Sequence, residues 1–207
     1  QQMEVVSKPS TPQEKVDEQD ELERIIIGLL LKYGNQKGEF VDYLLKENDD
    51  GELELATDKN EEFVFNKIYM ELQEDEIEFT NPKFKTIYDL ICKQYSQHQY
   101  IDHKSLSNQE EQDINAEISS ALLKNDNHEL HRWEDKNIFI KSKDDLDPKE
   151  VTQTLLNLRR LLIKKKIKNL GQSIQENLQK SHSEVLSETL DYKRLEMLIS
   201  DKVGRVM

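Results

Sequence analysis

The sequence predicts an all-α protein: a multi-helix bundle followed by an extension of long helices that forms a helical hairpin. Two observations carry this. Six glycines and four prolines in 207 residues leave few places for the chain to break, while Leu, Ile, Lys, Glu and Gln, all good helix formers, are abundant. Apolar residues also recur every three or four positions along most of the chain, the spacing of one helical face.

Residues 1–16 contain Pro9, Ser10, Thr11 and Pro12 among polar neighbours and read as the end of a linker. The first helix starts near Asp17. Leu22, Ile25, Ile26, Leu29, Leu30 and Tyr33 form its broad apolar face, and Gly34 stops it, in the left-handed conformation that glycine tolerates. A short second helix is expected over Gly38–Glu47 from Phe40, Val41, Tyr43, Leu44 and Leu45, followed by the turn Asn48-Asp49-Asp50-Gly51. A third is expected near Asn60–Glu74, burying Phe63, Val64, Ile68 and Met70 or Leu72. Asn81-Pro82 then supplies a cap and a proline at the first helical position. The helix that follows presents Phe84, Ile87, Tyr88, Ile91 and Tyr95. Another is expected near Gln109–Lys124 with Ile114, Ile118, Ala121, Leu122 and Leu123, and a shorter one carries Leu130 and Trp133.

The C-terminal section is more regular. Asp147-Pro148-Lys149-Glu150 combines an N-cap, a proline at the first helical position and a glutamate at the third. The helix it opens reaches toward Lys180. Val151, Leu155, Leu158 and Leu162 form one stripe, and Ile167, Leu170, Ile174 and Leu178 a later one, so the buried face changes partner around residues 163–166. Ser181-His182-Ser183 makes the break. A last helix holds Val185, Leu186, Leu190, Leu195, Leu198, Ile199 and Val203. Two long helices joined by a short polar loop form an αα-hairpin, which hardly buries its own apolar surface. It packs on the bundle or offers that surface to another chain.

Charge divides the chain at the same place. The net charge is −13, but residues 1–150 carry −18 and residues 151–207 carry +5. The expected organisation is a linker at 1–16, a bundle at 17–146 and a hairpin at 147–207. The acidic balance argues against a nucleic-acid coat, which needs cations to neutralise phosphate. It favours protein partners. The apolar runs are short, as in Ile25–Ile27 and Leu29–Leu31, so no membrane span is expected. The single cysteine, Cys92, rules out an intrachain disulfide and a cysteine-based zinc site, and fits a reducing cytoplasm. The start, Gln1-Gln2-Met3-Glu4, is not a signal peptide and reads as an excised or processed chain.

The residues offer little catalytic chemistry. The glycines are all isolated, so no phosphate-cradling loop is present. His128 and His131 have the spacing of one helical face, but no third ligand follows at a telling distance. Surface histidines explain them better than an all-α metal-dependent hydrolase. The runs Asp17-Glu18, Asp20-Glu21 and Glu74-Asp75-Glu76 lack the spacing of a calcium loop. Ser181-His182-Ser183 lacks an orienting acid, and Cys92 reads as a half-buried structural thiol.

The basic run is the sharpest feature. Arg159, Arg160, Lys164, Lys165, Lys166 and Lys168 occur with no acid between them. Three uses compete: a solvated face whose lysine stems cover apolar neighbours, a docking face for an acidic protein, and a weak contact with single-stranded DNA. The last lacks nearby aromatic residues for stacking.

Several segments resemble one family in order and spacing. Glu23-Arg24-Ile25-Ile26-Ile27-Gly28-Leu29-Leu30-Leu31-Lys32-Tyr33-Gly34 is similar to the opening helix of the C-terminal domain of bacterial DNA primases. Phe79-Thr80-Asn81-Pro82-Lys83-Phe84-Lys85-Thr86-Ile87-Tyr88 resembles that family's F-x-N-P lead into a helix. Trp133, Asp147-Pro148 and the Leu- and Lys-rich stretch 155–168 resemble the Bacteroidetes-type version, and Gly204-Arg205-Val206-Met207 is similar to its usual ending. The resemblance spans about residues 17–207. It implies a helical bundle with a hairpin that docks on the N-terminal region of the replicative helicase hexamer. It also implies a cytoplasmic protein without cofactor or small-molecule substrate in this fragment. Zinc, magnesium and primer synthesis would belong to other domains of the parent primase.

The expected docking residues lie on the last helix: Leu186, Leu190, Leu195, Leu198 and Ile199. Tyr192, Arg194 and the basic run form a rim.

Overall fold

The computed structural model describes residues 17–48, 53–107, 112–128, 146–175 and 182–203. The described residues are largely helical, with seven helices, but they also contain a two-stranded antiparallel sheet. The all-α expectation is thereby corrected to mostly α.

Helix α1 (Glu18–Tyr33) is the centre of the bundle. Asp17 caps it, accepting a hydrogen bond from the Gln19 N–H at 3.0 Å. From Ile26 to Leu31 every residue is buried, because α1 packs against α2, α3, α5 and α6 on its different sides. A helix apolar all round needs such enclosure. Gly34 ends the helix in the right-handed region (φ −52°, ψ −31°), not the expected left-handed one. Its reason is space. A Cβ there would lie 2.4 Å from Ile101 Cδ1 and 2.4 Å from the Leu30 carbonyl oxygen.

The segment expected as a short helix over Gly38–Glu47 is strand β1 (Lys37–Glu47). It pairs with β2 (Leu53–Phe63) in a register that sets Lys37 opposite Phe63 and Leu45 opposite Leu55. Phe40, Val41 and Tyr43 suit a pleated surface, and an acidic turn ending in Gly51 is a hairpin signal. Reading helical spacing into so short an apolar run overlooked this. Most of that turn lies outside the described residues.

Helix α2 (Val64–Glu74) consequently starts four residues later than expected, since Asn60–Phe63 finish β2. Its first residue has no side-chain cap. Instead the Val64 and Phe65 N–H groups donate to the carbonyls of Gln36 (2.9 Å) and Gly34 (3.2 Å), so the α1–β1 connection caps α2. No local sequence signal marks such a start.

Helix α3 (Pro82–His98) begins as expected, with the Asn81 side chain accepting from the Lys83 N–H at 2.9 Å. The turn before it is fixed by a buried carboxylate. Glu23, 2% exposed, accepts from the Thr80 N–H (2.9 Å), the Thr80 hydroxyl (2.8 Å), the Asn81 N–H (3.1 Å) and the Gln19 amide (2.8 Å). The short α4 (His103–Leu106) and α5 (Gln112–His128) follow. The expected helix around Leu130 and Trp133 lies outside the described residues.

Helix α6 (Pro148–Gln175) starts at the expected Asp147 cap. Its first half belongs to the bundle, with Val151, Leu155 and Leu158 in the same buried cluster as Ile26, Phe40 and Phe84. Its second half meets α7 (His182–Val203). Lys164 lies 3.8 Å from Glu196, and Lys166 stands over the Tyr192 ring, so the two helices run antiparallel. No described helix is long and apolar enough to cross a membrane.

The glycines give opposite expectations. Gly34→Ala lowers the unfolding free energy by about 1–3 kcal/mol, the usual range for overpacking. Gly171→Ala, with nothing within 4 Å of its Cβ position, raises it by about 0.5–1 kcal/mol. Urea titrations of the two variants measure both.

Candidate protein-docking site

An ion network fastens the sheet and α2 to α6. The Lys67 ammonium on α2, its side chain 4% exposed, sits between the carboxylates of Asp42 on β1 and Glu71 one turn along α2. Glu71 also receives Arg159 of α6, which reaches Asp75 at the end of α2 as well. Asn60 of β2 donates to Asp42 at 2.7 Å.

Burial pushes the Asp42 carboxyl up, but hydrogen bonds from Lys67 and Asn60 outweigh it and hold the group below its ordinary value. Burial likewise pushes Lys67 down, and its hydrogen bonds with Asp42 and Glu71 carry it above its ordinary value. Nearby Glu62 behaves oppositely, its carboxyl raised by burial and by neighbouring Asp42, Glu71 and Glu74 despite Lys67.

The expected docking residues divide between two faces of α7. Leu186 and Leu190 point outward, 56% and 52% exposed. Arg194 is exposed beside them, and Met197, 67% exposed and not singled out in the sequence, completes the stripe. The intervals 186, 190, 194 and 197 keep all four on one helical side. Ile199 is buried at 5% exposure, and Leu195, Leu198 and Tyr192 are half-buried. Tyr192, Leu195 and Ile199 face inward and line a cleft of about 630 Å³. Its other wall is the far end of the sheet, with Tyr43, Leu45 and Leu55, and its floor includes Leu162 and Ile163 of α6.

These sheet residues escaped the sequence reading because the strands were taken as helix and turn. The signal was present: leucines flank an acidic turn on both sides. Met197 could have been found from its interval of seven from Leu190.

The basic run does not form one patch. Arg159 is bound to Glu71 and Asp75, Lys165 donates to Gln19 of α1, and Lys166 lies 6.0 Å from the Tyr192 ring centroid. Arg160, Lys164 and Lys168 fall at intervals of four on one side of α6, where Lys164 faces Glu196 of α7 at 3.8 Å. Three consecutive lysines must spread around a helix, about 100° apart.

Other candidates carry less. Cys92 is half-buried beside the Tyr88 hydroxyl, which is itself buried without a well-formed hydrogen bond. Burial pushes both groups up, which keeps the thiol protonated and a poor nucleophile. Among the described residues no three His, Cys, Asp or Glu side chains cluster as a metal site. The His131 ring and the His128 side chain lie outside the described residues, as does Ser181.

A family model described as "Domain of unknown function (DUF8430)" matches residues 9–206. The chain belongs to this family. No curated protein and no solved structure matches it. The DUF8430 match spans bundle and hairpin alike.

Truncating the central cation leaves two carboxylates facing each other. Lys67→Ala therefore lowers the unfolding free energy by about 3–5 kcal/mol, measurable by urea titration. The pH dependence follows from the signs. Asp42, lowered on folding, contributes stability that is present above its ordinary value of 3.8 and lost as pH falls through its folded value. Lys67, raised on folding, contributes stability that is present below its ordinary value of 10.5 and lost as pH rises through its folded value. Asp42→Asn shrinks the acid loss, read from urea midpoints between pH 2 and 7.

Proposed function

We propose that this chain is the helicase-interaction domain of a bacterial DNA primase and tethers primer synthesis to the replicative helicase. One structural observation carries the reading. Helix α7 turns a stripe of Leu186, Leu190 and Met197, each more than half exposed, away from the bundle. Exposed apolar side chains with Arg194 among them, on a helix held mainly by one neighbour, suit docking in a partner's groove.

The sequence resemblance adds support, and two of the segments that carry it touch. Glu23 of the opening segment accepts the hydrogen bonds of Thr80 and Asn81 in the F-x-N-P segment. The side chains that carry the likeness thus hold one structural joint.

In this reading the chain contributes binding, and the priming chemistry belongs to other domains of the parent protein. Tethering raises the local concentration of primase where the helicase exposes single strands. A ring of identical helicase subunits offers several equivalent docking sites. The parent protein works in the cytoplasm, where the replication fork is. A nucleic-acid adaptor built on residues 159–168 is the weaker reading, because those side chains spread around α6 and several are already engaged.

Calorimetry with the N-terminal region of the replicative helicase from the same organism tests the proposal. The chain binds, and the double variant Leu186→Asp, Leu190→Asp weakens binding at least tenfold, about 1.4 kcal/mol, with an unchanged urea midpoint. Absence of binding by the unaltered chain refutes it.

A further inference from the structure

Helix α7 is fastened unevenly. Along its length it lies on α6, with Lys164 3.8 Å from Glu196 and Lys166 over the Tyr192 ring. On its sheet side it faces the cleft of about 630 Å³, whose opposite wall is Tyr43, Leu45 and Leu55. Leu45 is 48% exposed, so α7 leaves that wall open.

At its C-terminal end α7 reaches across. Lys202, in the last turn, holds its ammonium 5.7 Å from the centroid of the Tyr43 ring on β1. At that distance the cation is attracted by the face of the ring. Among the described residues Lys202 makes no ion pair, so the ring is what its charge meets.

The two partners differ in freedom. Tyr43 follows Asp42, which Lys67 and Asn60 hold, and it pairs with Thr57 in the sheet register. Its ring is carried on a fixed strand. Lys202 stands one residue from the end of α7, a helix held mainly by α6. A flexible four-carbon stem delivers its charge.

We infer that the contact between Lys202 and Tyr43 is a releasable clasp: closed, it holds the end of α7 against the sheet, and open, it lets α7 swing on α6 and widen the cleft. Such a contact is weak enough to open often. It shifts an equilibrium only a few-fold, far less than the buried ion network that fixes the strand. The swing uncovers the inward side of α7, with Tyr192, Leu195 and Ile199. Ile199, 5% exposed with the clasp closed, gains access to solvent. This device uses the side of α7 opposite the docking stripe and needs no partner, so it goes beyond the docking reading and is tested without the helicase.

Hydrogen–deuterium exchange of the full chain, read by mass spectrometry, follows the opening. Lys202→Met removes the charge and keeps the stem, and exchange in residues 195–203 quickens about two- to fivefold. Tyr43→Leu, which removes the ring, does the same. Tyr43→Phe and Lys202→Arg keep a ring and a cation, and each leaves exchange at the rate of the unaltered chain. The amides of α1 keep their rates in all four variants. A thiol probe then reports on the inward side. In a Cys92→Ser background, Ile199→Cys reacts with a thiol reagent, and adding Lys202→Met speeds the reaction by the same factor.

Unchanged exchange in Lys202→Met and Tyr43→Leu overturns the clasp. Equal effects of Tyr43→Phe and Tyr43→Leu overturn it too, because the hydroxyl would then be the partner. Faster exchange throughout α1 would mark a general loss of stability and count against it. Thiol labelling that ignores Lys202→Met would show the end of α7 fraying without a swing, and the inference falls.

Discussion

The buried ammonium of Lys67 is the interaction on which the arrangement depends. It sits on α2, faces Asp42 of the sheet, and shares Glu71 with Arg159 of α6. Three elements distant in sequence meet at two cations and three carboxylates. Buried charges of this kind add less net stability than their Coulomb energy suggests, because each must leave water. What they fix is geometry. A sheet displaced from this position would part Asp42 from Lys67, which would keep only Glu71, at a cost of several kcal/mol, so the two strands are held at one angle to α6.

From that joint the rest follows. Helix α6 serves the bundle through Val151, Leu155 and Leu158 and serves the hairpin through its later turns. The charge boundary near residue 150 therefore divides surfaces, not packing, and the hydrophobic core runs across it. Because the sheet is locked at the middle of β1, its far end stands beside α7, leaving a cleft between them. The inward side of α7 is shielded there, while its outward side remains in water.

The division of α7 into two faces changes how an apolar helix is read for function. Ile199 is 5% exposed and Leu190 is 52% exposed, yet both are apolar residues at helical spacing. Burial against its own chain already accounts for the first. The second stays in water and is the one that the proposed docking would cover. The basic run follows the same logic: Arg159 is a structural cation, and its neighbours point in different directions.

The sequence by itself determined the helices that begin with a cap and carry a long apolar face: α1 at Asp17, α3 at Asn81-Pro82 and α6 at Asp147-Pro148. It also determined the hairpin character of the C-terminal section, because a side-chain cap and a sustained period are local properties. Tertiary structure decided the rest. Lys37–Glu47 is a strand because a complementary segment pairs with it, a condition that no window of one strand can show. Helix α2 starts at Val64 because carbonyls thirty residues earlier accept its first N–H groups. Gly34 is required by the approach of Ile101, not by its own dihedral angles. The exposed face of α7 and the mouth of its cleft were likewise undecided in the chain. Periodicity names which residues share a helical side, but only packing against a distant segment selects the side that stays in water.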